Sequence, residues 1–233
     1  MPTLLALDAS TQACSAALMV HREGRDEVIS RFSLAPREHT RRLMPMVEEL
    51  LAEAGIGVSS LDAVAYGRGP GSFTGLRIAA GTAQGLAFGA DRPLLGVSTL
   101  EALALRANRH HHVRHVLAAL DARMGEIYVA AYRCHDDGLE RLLDEAVLPP
   151  ERLTLPSNAQ DVDWVGVGSG WTLWDAMPVL LQDAMSQTFE DMHPAAEEMA
   201  WLAARQFAAG EAREAHLIQP IYLRDQVAWQ KNA

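Results

Sequence analysis

The same order of apolar segments is written twice along this 233-residue chain. In the first half, Leu4 to Leu7, Cys14 to Val20 and Val28 to Leu34 are short apolar or half-alternating runs separated by polar turns, the pattern of a strand meander. A helix over 40–54 comes next, because Leu43, Met46, Val47, Leu50, Leu51 and Ala54 recur at 3.6-residue spacing. Glu48, Glu49 and Glu53 take its other face, and Gly55 reads as its C-cap. Ala63 to Tyr66 is a short buried strand, followed by a glycine-rich loop and a helix over about 74–89. Residues 93–97 form another strand, and Ser98-Thr99-Leu100-Glu101 is a capping box that opens a helix fading near Asn108. The second half restarts with strands over 116–120 and 126–132, a weaker one over 141–147, and Trp164 to Val167. Helices are expected near 171–182 and over 194–209, the latter with Pro194 at its start and Gly210 at its end. A chain with this order folds as α/β in two related lobes, each a meander extended by alternating helices and strands, with the boundary where polar residues interrupt the pattern near 107–115.

Composition narrows the class. Apolar residues make up 49% and charged residues 21%, the proportions of a globular protein. No run of eighteen apolar residues is present, so no membrane helix is expected. Met1-Pro2-Thr3-Leu4 lacks the basic region of a signal peptide, and Cys14 and Cys134 stand far apart, so a reducing, cytoplasmic home is expected. Twenty Lys and Arg against thirty Asp and Glu give a net charge of −10, which argues against a chain that grips nucleic acid by itself.

Three turns invite chemistry. Asp8, Ala9, Ser10 and Thr11 come after the first strand; their backbone N–H groups suit a phosphate and the carboxylate suits a magnesium-bound water. The same residues also make an ordinary hydrogen-bonded turn. The run Gly67 to Gly75 leads into a helix N-terminus, where anions bind well, but it lacks the lysine of a Walker A loop and places Arg77 one turn into the helix. Its other reading is a rigid strand-to-helix elbow. Gly166-Val167-Gly168-Ser169-Gly170 fails as a dinucleotide fingerprint because Trp171 stands where glycine is needed. His110, His111, His112 and His115 look like metal ligands, but fall in the polar boundary and are expected in a solvated loop. No metal site and no nucleophilic triad is readable.

The helix over 74–89 is rich in small residues. Gly81, Gly85 and Gly89 are spaced by four and share one stripe, widened by Ala79, Ala80, Ala83 and Ala87. Each interior glycine costs about 1 kcal/mol relative to alanine, so close approach of another backbone is expected. That backbone belongs either to this chain or to a partner.

The residues Leu7-Asp8-Ala9-Ser10-Thr11, Gly69-Pro-Gly-Ser-Phe-Thr-Gly-Leu-Arg77, Leu120-Asp-Ala-Arg123 with Glu126-Ile-Tyr128, and Pro220-Ile-Tyr-Leu-Arg224 resemble, in order and over essentially the whole chain, the TsaB family, also called YeaZ, of bacterial tRNA threonylcarbamoyladenosine biosynthesis. The resemblance implies an actin-like ATPase fold, as in sugar kinases, with lobes at 1–108 and 109–215 and a tail, 216–233, returning to the first lobe. It places the nucleotide turns at Asp8, Ser10 and Thr11, at Asp121, and at Gly168, for weak ATP or ADP binding with no cofactor required. It implies a non-catalytic subunit that binds and stabilises the transferase TsaD, with TsaE as a further partner, a homodimer when alone, and tRNA reached only through the complex. Thr99 and Leu103 stand where TsaD carries two metal-binding histidines, and neither replaces an imidazole. The expected partner surface is made by helices 40–54 and 74–89, with Leu43, Val47, Leu50, Arg77, Gly81, Gly85 and Gly89. An actin-fold ATPase or phosphotransferase using Asp8, Thr11 and Asp121 is the alternative, and a metallopeptidase-like protein a more distant one.

Overall fold

A computed structural model describes residues 2–22, 24–135, 138–157, 159 and 162–224. The two sets of apolar runs become two five-stranded sheets. In the first, β1 (Leu4–Asp8), β2 (Ala13–Arg22) and β3 (Arg25–Leu34) form an antiparallel meander. The parallel strands β4 (Ala63–Gly69) and β5 (Leu94–Ser98) extend it, giving the order β3-β2-β1-β4-β5. In the second, β6 (His115–Arg123), β7 (Glu126–His135) and β8 (Gly138–Leu148) repeat the meander, and β9 (Trp164–Val167) and β10 (Met185–Phe189) repeat the parallel pair. Its order, β10-β9-β6-β7-β8, is the first sheet's order over again. This duplicated plan is the actin-like architecture.

Helices fill the layers. α1 (His39–Ala54) and α2 (Phe73–Ala90) cover the outer face of the first sheet. α3 (Thr99–His111) comes after β5 and buries Leu100, Leu103, Ala104 and Ala107 against the second sheet. α5 (Ala196–Ala208) comes after β10 and buries Met199, Ala200 and Ala203 against the first sheet. Each half therefore lends its last helix to the other half's sheet, and α3 and α5 make the layer between them. A division at 108/109 and 215 separates the strands but not the helices: α5, numbered with the second lobe, belongs by packing to the first.

Other departures have local causes. The helix expected over 171–182 is broken: residues 169–176 form a 3₁₀ stretch kinked at Leu173, and after Pro178 the short α4 (Val179–Ala184) restarts. β10 has no apolar run to announce it, since Ser186, Gln187 and Thr188 are exposed on an edge strand. α3 runs on to His111, because Arg109, His110 and His111 suit the negative end of the helix dipole and His112 caps it in a left-handed conformation. Three of the four histidines are thus not in a loop, since His110 and His111 are helical and His115 is in β6, while His112 lies in the connection between them. His111 stacks on Phe189 at 4.0 Å.

Candidate functional site

Asp8 ends β1 with no exposed surface. The Ser10 amide donates to its Oδ1 (3.2 Å) and the Ser10 hydroxyl to its Oδ2 (3.0 Å). Burial pushes the carboxyl up to about 7, against the pull of those hydrogen bonds. Ser10 is itself buried and Thr11 half-buried; Thr11 Oγ1 accepts from the Ala13 amide (3.2 Å).

The glycine-rich loop seals this turn. The Ser72 amide donates to the Ser10 carbonyl (2.7 Å). A Cβ on Gly71 would lie 2.5 Å from that same carbonyl oxygen, and one on Gly75 only 1.8 Å from the Ala9 carbonyl oxygen. The loop's glycines therefore serve close backbone approach, the elbow reading, and the residue they approach is the Asp8 turn. Ser72 caps α2 by accepting from the Gly75 amide.

α3 passes between two further glycines. A Cβ on Gly67 would lie 2.3 Å from Asp8 Oδ1 and 3.2 Å from Thr99 Cγ2. A Cβ on Gly168, whose φ is +99°, would lie 2.4 Å from the Ala119 carbonyl oxygen and 2.7 Å from Leu103 Cδ2. Thr99 and Leu103 are one helical turn apart and fully buried, so they fill the space between the Asp8 turn and the Gly168 turn. The Thr99 hydroxyl donates to the Pro70 carbonyl. The space between the two turns is closed by side-chain packing, and Thr99 and Leu103 supply neither an acceptor nitrogen nor a carboxylate there.

On the other side, Asp121 and Gly168 are brought together, since the Asp121 amide donates to Ser169 Oγ (3.1 Å). Asp121 is part-exposed; it accepts from the Arg123 amide (2.8 Å) and pairs with the Arg123 guanidinium (3.2 Å). Asp8, Ser10 and Thr11 thus form one cluster and Asp121 and Gly168 another. Two surface hollows, of about 670 and 640 Å³, are lined by other residues.

The helical surface also departs from expectation. Leu43, Val47 and Leu50 lie in the core between α1 and the first sheet, so they offer nothing to a partner. The periodicity that identifies α1 also spends its single apolar stripe on its own sheet. Gly81, Gly85 and Gly89 face outward: a Cβ on any of them meets nothing within 4 Å. Packing against the described residues is therefore not their reason. Nearby on α2, Phe73 and Phe88 are 53% and 84% exposed, and Met44 of α1 is also exposed. Arg77 is exposed, stacks on Phe73 at 3.8 Å and donates to the Tyr222 hydroxyl at 3.2 Å.

Comparison with known proteins supplies the family. A model described as "TsaD: tRNA N6-adenosine threonylcarbamoyltransferase" matches residues 32–232. The tRNA threonylcarbamoyladenosine biosynthesis protein TsaB of Escherichia coli K12 is 44% identical over 233 residues, covering 98% of this chain and 97% of its own. The chain belongs to the TsaB family. TsaB of Haemophilus influenzae is 41% identical over 98% of this chain and 96% of its own. Among solved structures, YeaZ from Pseudomonas aeruginosa superposes with a TM-score of 0.87 at 46% identity, covering 96% of this chain and all of that one. With the TsaD family model matching most of its length, the chain is a paralogue of TsaD. No helix among the described residues is long and apolar enough to cross a membrane.

Sequence reasoning missed two features. Glu198 looks like an ordinary first-turn acid of α5, yet it is fully buried beside Arg109 (3.7 Å) and Arg106 (3.8 Å) of α3. Arg68 of β4 reaches across to Glu145 of β8 with bonds of 3.0 and 3.2 Å. A lone arginine inside a glycine-rich run was the available signal for the second; nothing in the sequence announces the first.

Proposed function

We propose that this TsaB-family chain is a non-catalytic subunit of the machinery that makes threonylcarbamoyladenosine in tRNA, and that it binds and stabilises TsaD through the outward faces of α1 and α2. The observation that carries this reading is the open stripe of Gly81, Gly85 and Gly89. Glycines inside a helix cost roughly 1 kcal/mol each relative to alanine, and here nothing among the described residues packs into the space they leave. A second helix backbone laid along the stripe would use that space, with the exposed Phe88 on the same helix. The same face would join two copies when TsaD is absent.

The non-catalytic part rests on donor chemistry. Thr99 and Leu103 present a hydroxyl already engaged with a carbonyl and a methyl group, neither able to serve as an imidazole does toward a metal ion. The Asp8 carboxyl is sealed, and burial pushes it up to about 7, so it is only partly ionised at neutrality, a poor state for holding a magnesium-bound phosphate. ATP or ADP is not required in this scheme, and TsaE joins as a separate partner. With a net charge of −10, the chain leaves tRNA contacts to its partners.

Reconstitution tests the proposal: tRNA modification with TsaD, TsaE and the synthase that makes threonylcarbamoyl-adenylate, with and without this chain. Modification is expected to depend on it, and Gly85→Leu is expected to weaken TsaD co-purification at least tenfold while leaving the melting temperature within a few degrees. Full modification without the chain would sink the functional reading. Unchanged binding by Gly85→Leu would sink the docking face.

A further inference from the structure

The segment after α5 does more than complete the first lobe. Arg213 makes two backbone bonds with Leu94 (2.7 and 3.0 Å). The Ile218 carbonyl accepts from Gln84 of α2 (2.9 Å), and its side chain packs on the first core. The Ile221 amide donates to the Arg68 carbonyl (2.8 Å). Tyr222 then meets the first turn of α2, its ring 5.4 Å from that of Phe73 and its hydroxyl accepting from Arg77. Two residues later the chain has changed lobes: Arg224 bonds Glu126 and donates to the Arg123 carbonyl (3.4 Å), both at the tip of the β6–β7 hairpin.

The residue beneath this crossing is Arg68. Its carbonyl holds Ile221 while its guanidinium, one-fifth exposed, makes the paired bonds to Glu145 of the second lobe, whose side chain is 8% exposed. Gly96 makes room for both, since a Cβ there would lie 3.2 Å from Arg68 Cβ and 3.3 Å from Ile218 Cγ2. A single stretch of chain therefore touches α2, the inter-lobe ion pair and the second-lobe hairpin.

We propose that residues 218–224 form a strap that couples the relative position of the two lobes to the TsaD-facing surface of α2; this rests on the docking reading above. Only Leu223 separates Tyr222 from Arg224, and consecutive Cα atoms are about 3.8 Å apart, so the backbone between the two contacts has little slack. A hairpin that moves away from the first lobe must either break the Arg224–Glu126 contact or draw Tyr222 off Phe73 and Arg77. A partner that packs on the Phe73, Arg77 and Tyr222 surface binds the strapped arrangement better than the unstrapped one. Reciprocity then requires that partner to steady the hairpin.

Hydrogen exchange of the hairpin, residues 120–128, tests this in the full chain with and without purified TsaD. In the wild-type chain, TsaD is expected to slow exchange there several-fold. Arg224→Ala and, separately, Glu126→Gln should abolish that slowing while weakening TsaD binding about three- to tenfold. Equal slowing in the wild type and in Arg224→Ala would mean direct contact and would overturn the strap. So would an unchanged hairpin in wild-type chain that has bound TsaD. Gly85→Leu run in parallel separates the two ideas: if it binds TsaD as the wild type does, the docking reading fails and the strap falls with it.

Discussion

The hairpins β1–β2 and β6–β7 occupy equivalent places in the two sheets, and the fold uses them in opposite ways. Each carries an aspartate near the end of the first strand of its meander, Asp8 as the last residue of β1 and Asp121 two residues before the end of β6. Asp8 is walled in by the glycine-rich loop, by Thr99 and by its own turn, whereas Asp121 stays part-exposed and satisfies itself with Arg123. The difference lies in the segment leaving the neighbouring parallel strand. After β4 the chain runs back over the Asp8 turn and enters α2; after β9 it packs down on Ala119 and leaves Asp121 part-exposed, reaching it through Ser169. Duplication supplied two candidate phosphate turns, and packing has converted one of them into part of the core.

The largest effect should come from reopening the sealed turn. Gly75→Ala places a methyl 1.8 Å from the Ala9 carbonyl oxygen and 3.0 Å from its carbon, backbone atoms that cannot swing aside as the end of a flexible side chain can. It is expected to cost upwards of about 3 kcal/mol, or to prevent soluble folding, as overpacking against backbone does. The matched change in the open hairpin is Gly125→Ala. Gly125 has φ +74° and nothing within 4 Å, so only its backbone preference is lost, about 1 to 2 kcal/mol. Guanidinium denaturation of the two variants measures the contrast directly; equal costs would show that the Asp8 turn is not sealed.

Much of this contrast was visible in the sequence, though not its meaning. The two GxGxG runs, Gly67 to Gly71 and Gly166 to Gly170, lie at the ends of the equivalent strands β4 and β9. Read singly, each is a weak phosphate signal; placed together by the fold, they are sites of close packing, Gly67 and Gly168 pressing on Thr99 and Leu103 of α3. Meanders and amphipathic helices were legible because a buried face leaves a period in the sequence. The crossing of α5 to the first sheet was not, because an apolar stripe says that a helix is covered and not by which sheet. The same limit explains Leu43, Val47 and Leu50, which are apolar for their own core. Gly81, Gly85 and Gly89 were legible as a stripe, while its outward direction is a fact of three dimensions.

A second effect of the sealed turn depends on pH. Folded Asp8 holds its proton up to about pH 7, whereas the unfolded chain releases it near the usual 3.8. The folded state therefore binds more protons across that interval, and stability falls as pH rises from about 4 to about 7. Glu198 acts with the same sign, since burial also pushes its carboxyl up to about 7, with Arg106 and Arg109 opposing. Asp8→Asn keeps the hydrogen-bonding shape without the ionisation. It is expected to raise stability at pH 8 by on the order of 3 kcal/mol and to leave a shallower slope that belongs to Glu198. Melting temperatures from pH 4 to pH 8 measure it; a variant with the wild-type slope would show that Asp8 is not the titrating group.

The smallest effect belongs to the equivalent change in the open hairpin. Asp121→Asn removes a charge whose partner, Arg123, is largely exposed to solvent, and exposed pairs contribute about 0 to 1 kcal/mol. The asparagine can still accept from the Arg123 amide, so the turn keeps its hydrogen bond. Stability at pH 7 is therefore expected to move by less than about 0.5 kcal/mol. The value of this near-silent change is diagnostic. A loss of about 2 kcal/mol or more, beyond the range of an exposed pair, would mean that Asp121 does structural work comparable to that of Asp8, and that the two hairpins differ less than their burial says. With stability unchanged, any effect of Asp121→Asn on tRNA modification would have to come from a contact outside this chain.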